Sequence, residues 1–501
     1  MLRLTLLLAT LTLTQSAPAA PLSGDQYFKR SCALCHSTDA AVSAGAGPGL
    51  AGIFGRALGA APGYNYSDAL RRAGAGGKRW DAAMLDAFLD DPAKAVPGTT
   101  MPLNVPAKAE RAALVAYLGT LAAGTPAVAA AGAMQWVEDA PGKVHHLDAR
   151  DLPAPYASAS AGNSPKVVPR PEGAMPRVPA GFKISLFATD ADKGRSMIRA
   201  PNGDVLIAAP GKGQIKLLRS SSGERAETVS VFAGGLDRPY GMAFYPSGGN
   251  PRYLYVATLN QVVRLPYSRG ALTAGAAPQV VVPALTVGSG GHTTRTLAFS
   301  ADDKLLFVSI GSASNVATGM PAAPPQPLAD WEREHGVGAA WGDELDRAAV
   351  LAFDPEGGHR HTYATGLRNC VGMIVYPATG ELMCSVNERD ALGDQLPPDY
   401  VTRVANGSFY GWPWYYIGAH EDPRLAGRRP DLKSKVRMPD VLLQAHSAPL
   451  GMTAYVRPEG ARHPFPQEYE GDLFVALHGS WNRATRTGSK VVRVMMKNGV
   501  P

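Results

Sequence analysis

Several features are scarce in this sequence, and their scarcity excludes whole classes of protein. After Leu13, no apolar run approaches the ~20 residues that a membrane-spanning helix needs. The net charge of +7 is small for 501 residues and its basic residues are scattered, which argues against nucleic-acid binding. Cysteine is rare, with four residues, so each can be considered in turn. The length exceeds that of one ordinary domain and predicts at least two.

The N-terminus carries the pattern of an export signal. Arg3 precedes an apolar run from Leu4 to Leu13, and the small residues Ala17-Pro18-Ala19 form a candidate cleavage site. A retained membrane anchor is the alternative, but the run is short for one. We therefore expect a signal peptide over residues 1–20, a periplasmic protein, and no stable membrane anchor after cleavage.

Two of the four cysteines lie in the motif Cys32-Ala33-Leu34-Cys35-His36, soon after the leader. Thiols at this spacing can add to the two vinyl groups of one haem, and the adjacent histidine can coordinate its iron. The motif therefore predicts covalent c-type haem held by Cys32 and Cys35, with His36 as the proximal ligand. Export agrees with this prediction, because c-type haem is attached outside the bacterial inner membrane.

Met101 is the candidate for the second axial ligand of the haem iron. It lies between two prolines and far enough after His36 for two short helices to surround a haem. A thioether opposite an imidazole raises the reduction potential, which suits an electron acceptor. Met84 falls within an expected helix and Met134 within an expected linker, so both are weaker candidates.

Residues 21–124 resemble the class I cytochromes c over their whole length. The matching features, in order, are Gly47-Pro48-Gly49-Leu50, Tyr66-Ser67-Asp68-Ala69-Leu70, Trp80, Pro97-Gly98 and a terminal amphipathic helix over 109–123. The resemblance implies a small all-α domain in which Pro48 supports the haem histidine. It also implies that Tyr66 and Trp80 lie near the haem propionates.

The character of the sequence changes twice after this domain. Residues 125–175 are rich in Ala, Pro, Gly and Ser, and predict a partly extended tether. From 176 to 501, strand-length apolar runs alternate with turns, and a loose turn-then-strand unit recurs five times. This recurrence favours a β-propeller over a β-sandwich. The five units are 201–207, 246–256, 302–308, 377–383 and 470–475.

The other two cysteines, Cys370 and Cys384, flank the turn Pro377-Ala378-Thr379-Gly380. A hairpin folded there would bring them nearly opposite one another, and an oxidising compartment would permit a disulfide. Two buried free thiols are an equally good interpretation.

Polar residues cluster beside several predicted strands of the second domain. His292 and Arg295 precede one strand, Arg368 and Asn369 precede another, and 477–483 follows a third. Because propeller loops converge at one end of the channel, these residues can meet there. A histidine can act as a general base, and arginine and asparagine can donate to a carboxylate-rich or quinonoid cofactor.

The same segments give residues 176–501 a resemblance to the pyrroloquinoline-quinone-dependent sugar dehydrogenases, in particular the sorbosone-dehydrogenase-like branch. The matching stretches are GGHTTRTLAFS, LRNCVGMIVYPATGEL, SVNERDALGDQLPPDY, FYGWPW, APLGM and HGSWNR. The resemblance implies an all-β six-bladed propeller that holds pyrroloquinoline quinone over a calcium ion.

The resemblance also implies roles for individual residues. His292 would remove the substrate hydroxyl proton, and hydride would pass to a quinone carbonyl polarised by Arg368. Asn369 would bind the cofactor too, with Arg238 and Arg295 as weaker candidates. Backbone oxygens of Glu388 and Arg389 would hold the calcium ion.

Two departures from the family pattern affect these expectations. Cys370 stands where the family has proline, a local change expected to spare the chemistry. The sequence ends at Lys497–Pro501, soon after the fifth unit, so we expect the closing blade to be incomplete.

Together these expectations describe a periplasmic quinohaemoprotein. It would oxidise a sugar or sugar-derived aldehyde and pass electrons through its haem to a respiratory acceptor. One alternative is a non-enzymatic binding propeller tethered to a cytochrome. A lactone-hydrolysing calcium propeller is another, but it has no use for a haem.

Overall fold

The structure is a computed structural model, and it describes most of the chain. The described residues are 23–32, 36, 47–61, 64, 66–99, 101, 103–121, 139–165, 167–286, 290–458, 460 and 463–501. The expected signal peptide and Cys35 lie outside them. Within them, none of the helices has both the length and the apolar character that crossing a bilayer requires.

The chain divides into two compact units, the first built mainly from residues 50–124 with the N-terminal helix. Its helices are α1 Gly24–Tyr27 with a continuing π-turn Phe28–Cys32, α2 Asp68–Ala75, α3 Ala82–Asp90, α4 Pro92–Ala95 and α5 Lys108–Thr120. Side-chain caps define the starts of α2, α3 and α4. The Asp81 carboxylate accepts from the Met84 amide at 2.7 Å before α3, and Ser67 caps α2 in the same way. The expected all-α domain is confirmed.

Helices α1 and α5 cross at Gly24. A Cβ atom placed on Gly24 would lie 2.0 Å from the Ala113 carbonyl oxygen and 2.6 Å from the Tyr117 Cβ. The Phe28 and Tyr117 rings then pack with their centroids 5.5 Å apart. The crossing therefore needs glycine for close backbone approach.

The second unit is a propeller of five sheets. The first blade contains β1 Ser196–Arg199, β2 Val205–Ala209, β3 Gln214–Arg219 and β4 Thr228–Ala233, and the second contains β5 Met242–Tyr245, β6 Tyr253–Ala257, β7 Val262–Pro266 and β8 Gln279–Val282. The third contains β9 Leu297–Phe299, β10 Leu306–Ile310, β11 Ala349–Phe353, β12 His361–Thr365 and the added parallel strand β16 Ser408–Phe409.

The fourth and fifth blades follow in the same antiparallel order. The fourth contains β13 Cys370–Val375, β14 Leu382–Val386, β15 Asp399–Val404 and β19 Val441–Leu443, and the fifth contains β20 Pro449–Ala454, β21 Leu473–Leu477 and β22 Lys490–Val494. The remaining elements are the hairpin β17 Tyr415–Tyr416 and β18 His420–Glu421, helix α6 Leu328–His335, and 3₁₀ turns at Ala149–Asp151, Pro210–Lys212, Gly342–Glu344, Pro430–Leu432 and Gln467–Tyr469.

The five turn-then-strand units of the sequence each contain the second strand of a blade, namely β2, β6, β10, β14 and β21. First strands of successive blades contact one another, as β1 with β5, β5 with β9, β9 with β13 and β13 with β20. This arrangement confirms the propeller, and the described residues form five of the six expected blades.

The apolar core lies between neighbouring blades. Leu206 of the first blade and Leu254 of the second are fully buried in one cluster. Met383 of the fourth and Val475 of the fifth share another. Each blade is thus held by burying its faces against the adjacent blades, which removes apolar surface from water.

The fourth blade contains a disulfide between Cys370 and Cys384, which decides between the two interpretations of these cysteines. In the β13–β14 ladder, Met373 pairs with Cys384, while Cys370 pairs with Val386. The register shifts after Cys370, and this irregularity leaves the two cysteine Cα atoms 5.6 Å apart.

Part of the expected tether lies against the second unit. The Tyr156 amide donates to the Leu392 carbonyl oxygen at 2.8 Å, and the Asn482 side chain donates to the Ala161 carbonyl oxygen at 2.8 Å. The Ser158 hydroxyl accepts from the Asp394 amide at 2.9 Å. Residues 139–165 are therefore docked on the propeller, although their composition predicted a partly extended tether.

Substitution Gly24→Ala tests the helix crossing. The added Cβ has no room beside Ala113, so the free energy of unfolding of the haem domain should fall by about 1–3 kcal/mol. A denaturant titration of haem absorbance measures it.

Gly119→Ala on α5 is the matched control. Its Cβ would lie 3.5 Å from the Phe54 ring, an ordinary contact, and alanine favours a helix over glycine by roughly 1 kcal/mol. Equal stability of the two variants would contradict the close crossing.

Candidate active site and haem-binding segment

His36 of the haem motif is oriented by Pro48. Its Nδ1 lies 2.8 Å from the Pro48 carbonyl oxygen, which can only accept, so Nδ1 carries the proton. Nε2 is then the nitrogen that can bind iron. Pro48 thus contacts the histidine as the cytochrome resemblance implied.

Met101 is half-buried and lies in the segment between α4 and α5. Arg111 of α5 holds the end of this segment by hydrogen bonds and ion pairs. From α5, the Arg111 guanidinium is 3.0 Å from Asp86 and 2.8 Å from Asp90, both on α3. It also donates to the Val105 carbonyl oxygen at 2.9 Å, just after Met101. Iron ligation by Met101 stays a prediction.

His292 lies before β9 and is held as a neutral base. Its Nδ1 donates to the Ser312 carbonyl oxygen at 2.8 Å, so the proton sits on Nδ1 and the lone pair on Nε2. Burial, and then the positive charge of Arg368, lower the pKa of His292 from 6.5 to about 3. The ring is therefore neutral at neutral pH, and its Nε2 can accept a proton.

Gly311 brings His292 and Asn369 together at the end of β10. A Cβ on Gly311 would lie 2.7 Å from the His292 Cβ and 2.3 Å from the Asn369 Oδ1. The Thr294 hydroxyl donates weakly to the same Asn369 oxygen at 3.4 Å. The first strands β9 and β13 thus deliver these two predicted site residues to one place.

Arg368, next to Asn369, is buried and oriented by several acceptors. Its Nη1 donates to the Glu388 carbonyl oxygen at 2.8 Å, and its Nε donates to the Asn315 carbonyl oxygen at 3.2 Å. Its Nη2 lies 3.5 Å from an Asp390 carboxylate oxygen. The predicted residues His292, Arg368 and Asn369 therefore form one cluster.

Arg295 is buried beneath the same cluster. Its Nη1 donates to the carbonyl oxygens of His292 and Thr294, each at 2.8 Å. Burial, and then the charge of Arg347, lower the pKa of Arg295 to about 10. Its Nε has no hydrogen-bond partner within the described part of the chain. Buried guanidinium groups beside His292 fit a cofactor that carries several carboxylates.

Glu388 and Arg389, the predicted calcium residues, form a buried ion pair at 2.9 Å. Arg389 Nη1 also lies 2.9 Å from an Asp422 carboxylate oxygen, so the Arg389 side chain has a structural role in this buried ion-pair network. The Glu388 carbonyl oxygen already accepts from Arg368, so one of its two lone pairs remains for a cation. Elsewhere in the described ranges, no group of three or more His, Cys, Asp or Glu is placed to hold a metal.

Arg238 is not brought into this cluster. Its side chain is 54% exposed, and its guanidinium lies 3.8 Å from the Asp237 carboxylate. Its role in cofactor binding stays a prediction.

Sequence reasoning missed Asn315 and His446. Asn315 contacts Arg368 directly, and the polar run Ser312-Ala313-Ser314-Asn315 after the buried strand β10 was a usable signal. His446 faces two acceptors, the Asp390 carboxylate at 3.2 Å and the Gly393 carbonyl oxygen at 2.9 Å. Against the lowering effect of burial, Asp390 raises the pKa of His446.

Comparison with known proteins matches both units of the chain. Residues 22–122 match the cytochrome c family, and residues 176–398 and 431–501 match the TrAA12-like family. Cytochrome c2 from Rhodomicrobium vannielii is 38% identical over 115 residues, which is 22% of this chain and 89% of the relative.

Two solved structures are similar to the propeller at low identity. The holo form of the pyranose dehydrogenase PQQ domain from Coprinopsis cinerea has 21% identity and a TM-score of 0.46, covering 60% of this chain and 75% of that one. The calcium structure of Trichoderma reesei Carbohydrate-Active Enzymes Family AA12 has 20% identity and a TM-score of 0.48, covering 63% and 81%.

The two units therefore match two families in order, a cytochrome c domain followed by a TrAA12-like propeller. The chain belongs to the TrAA12-like family, and it carries a cytochrome c domain at its N-terminal side. The cytochrome c domain predicted from the sequence is thereby confirmed.

The depressed pKa of His292 predicts a pH dependence of stability. Between about pH 3 and 6.5, the unfolded chain protonates this histidine and the folded chain does not. Its contribution to the free energy of unfolding is therefore complete above about pH 6.5 and falls as the pH drops toward 3.

Denaturant unfolding of the wild type and of His292→Gln across this range measures the effect. The wild type should lose stability more steeply than the variant as the medium becomes acidic. Parallel curves would mean that His292 is not held neutral by burial and Arg368.

Proposed function

We propose that this protein oxidises a sugar or sugar-derived aldehyde with pyrroloquinoline quinone and passes the electrons to its own c-type haem. The observation that carries the proposal is the cluster of neutral His292 with buried Arg368 and Asn369, in a chain that also carries a cytochrome c domain. The sorbosone-type branch is the part of the resemblance that names the substrate class.

In the proposed reaction His292 acts as the general base. Its Nδ1 proton is committed to the Ser312 carbonyl oxygen, so Nε2 takes the proton from the substrate hydroxyl. When bound, pyrroloquinoline quinone would supply two-electron oxidation at the carbon that bears this hydroxyl. The low pKa of His292 leaves its Nε2 without a proton at neutral pH.

Arg368 and Asn369 would bind and orient the quinone. A buried guanidinium donates strong hydrogen bonds to carbonyl and carboxylate oxygens, so Arg368 would stabilise the negative charge that develops there. Arg295 would add positive charge beneath the group, with its unpartnered Nε as a donor. Arg238 is the further proposed contact.

Cys32 and Cys35 would hold the haem covalently, with His36 and Met101 as axial ligands. The haem, when bound, supplies one-electron transfer. Electrons would leave to a respiratory acceptor, and the leader-like N-terminus supports a periplasmic location.

The proposal includes a calcium ion at the backbone oxygens of Glu388 and Arg389, which only the family resemblance supports. A cation there would share the Glu388 oxygen with Arg368, which already donates to it. A calcium titration of quinone binding tests this, and an affinity that is unaffected by calcium or its chelation would remove the ion from the proposal.

Anaerobic haem reduction tests the function. The haem-loaded protein would be mixed with calcium, the quinone and a panel of aldoses, sorbosone and simple alcohols. We expect ferrous haem only when quinone and a substrate are both present. His292→Ala should slow the reduction about 10²–10⁴-fold, because it removes the base.

His359→Ala is the matched control, since that histidine is exposed on the turn between β11 and β12. It should leave the rate unchanged. A binding propeller would instead be supported by two results together. No substrate would reduce the haem, and His292→Ala would bind the quinone as tightly as the wild type.

A further inference from the structure

Asn315 holds the Arg368 guanidinium along one edge. Its backbone oxygen accepts from Arg368 Nε at 3.2 Å, and its side-chain Oδ1 accepts from Arg368 Nη2 at 3.1 Å. Two parallel hydrogen bonds from one residue fix the guanidinium plane as well as its position. The Glu388 oxygen, on Nη1, adds a third fixed point.

Asn315 is itself held rigidly. Its Nδ2 donates to the Asp390 carbonyl oxygen at 3.0 Å, and its Oδ1 accepts from the Asp390 amide at 2.8 Å. The Trp412 indole donates to its backbone oxygen at 2.9 Å. The residue therefore ties the Arg368 side chain to the turn that contains Glu388.

The loop that carries Asn315 also orients His292. Ser312 supplies the carbonyl oxygen to the His292 ring, and its hydroxyl donates to the Ser314 carbonyl oxygen at 2.6 Å. The buried Glu344 carboxylate anchors the loop from below, accepting from the Ala313 amide at 2.7 Å and the Ser314 hydroxyl at 2.6 Å.

We propose that Asn315 is the positioning residue for Arg368, and that residues 312–315 set the arrangement of His292 and Arg368 at the site. This inference rests on the proposed function, in which these two groups act on one substrate–quinone pair. Without the Asn315 side chain, the guanidinium keeps its bonds to the backbone oxygens of Glu388 and residue 315 but loses the acceptor on Nη2, which can then turn toward the Asp390 carboxylate, 3.5 Å away.

A comparison of four variants of the full haem-loaded chain tests the proposal. They are Asn315→Ala, Arg368→Lys, the double variant and the control Asn202→Ala. Lysine keeps a positive charge beside Asp390 but cannot make the paired hydrogen bonds. Asn202 lies in the β1–β2 turn, at the other end of the strands, where its side chain donates to Asp204 at 2.8 Å.

The dissociation constant of pyrroloquinoline quinone would be measured by fluorescence, and kcat and KM by haem reduction. We expect Asn315→Ala to weaken quinone binding about tenfold and to lower kcat more than it raises KM. In the Arg368→Lys background the same change should have less than about a twofold effect, because the partner of Asn315 is already gone. Asn202→Ala should leave binding and kcat unchanged.

Equal effects of Asn315→Ala in the wild-type and Arg368→Lys backgrounds would overturn the proposal. An Asn315→Ala variant that loses thermal stability but keeps the wild-type affinity for the quinone would also overturn it. If the wild type binds no quinone, the proposed function fails, and thermal unfolding of the same variants decides the inference. If the double variant has the same Tm as Arg368→Lys alone, the result supports the Asn315–Arg368 contact. Additive shifts in Tm would contradict the contact.

Discussion

The site depends on how closely the side chains of His292 and Asn369 approach the backbone of Gly311. There the end of β10 passes between the segments that precede β9 and β13, with no space for a side chain. His292 lies on one side of this glycine and Asn369 on the other. Any larger residue at Gly311 would push the two side chains apart, so the arrangement of His292 and Asn369 requires glycine at this position.

Burial determines the charge state of the groups that meet there. His292 stays neutral because desolvation and the nearby Arg368 both oppose its protonation. Burial lowers the pKa of Arg368, and the carboxylates of Asp390 and Glu388 oppose that shift. Arg295 is buried too, and its Nε has no hydrogen-bond partner among the described residues. The charges of Arg368 and Arg295 both oppose protonation of His292, and their guanidinium groups would donate to an anionic ligand.

Local sequence signals predicted the repeated architecture well. Turn residues before β-branched runs located the second strand of every blade, because turn chemistry and strand patterning act over a few residues. The polar residues before β9 and β13 were expected to meet, and they do. These predictions succeeded because propeller topology places equivalent strand ends together whatever their separation in sequence.

Interactions that depend on long insertions or irregular register could not be predicted in this way. Asn315 belongs to the long segment between β10 and β11, and no periodic pattern aligns it with Arg368. The Cys370–Cys384 disulfide depends on an irregularity at the start of β13. Residues 139–165 have the composition of a tether, yet individual hydrogen bonds dock them on the propeller.

The central claim is that the propeller reduces the haem of its own chain. Rapid mixing of quinone-loaded protein with saturating aldose, followed by haem absorbance over a roughly tenfold range of protein concentration, tests it most directly. A haem-reduction rate constant that does not change with protein concentration is the predicted result, because transfer within one chain is first order. A rate constant that rises in proportion to protein concentration would mean that electrons pass between molecules, and would contradict the claim.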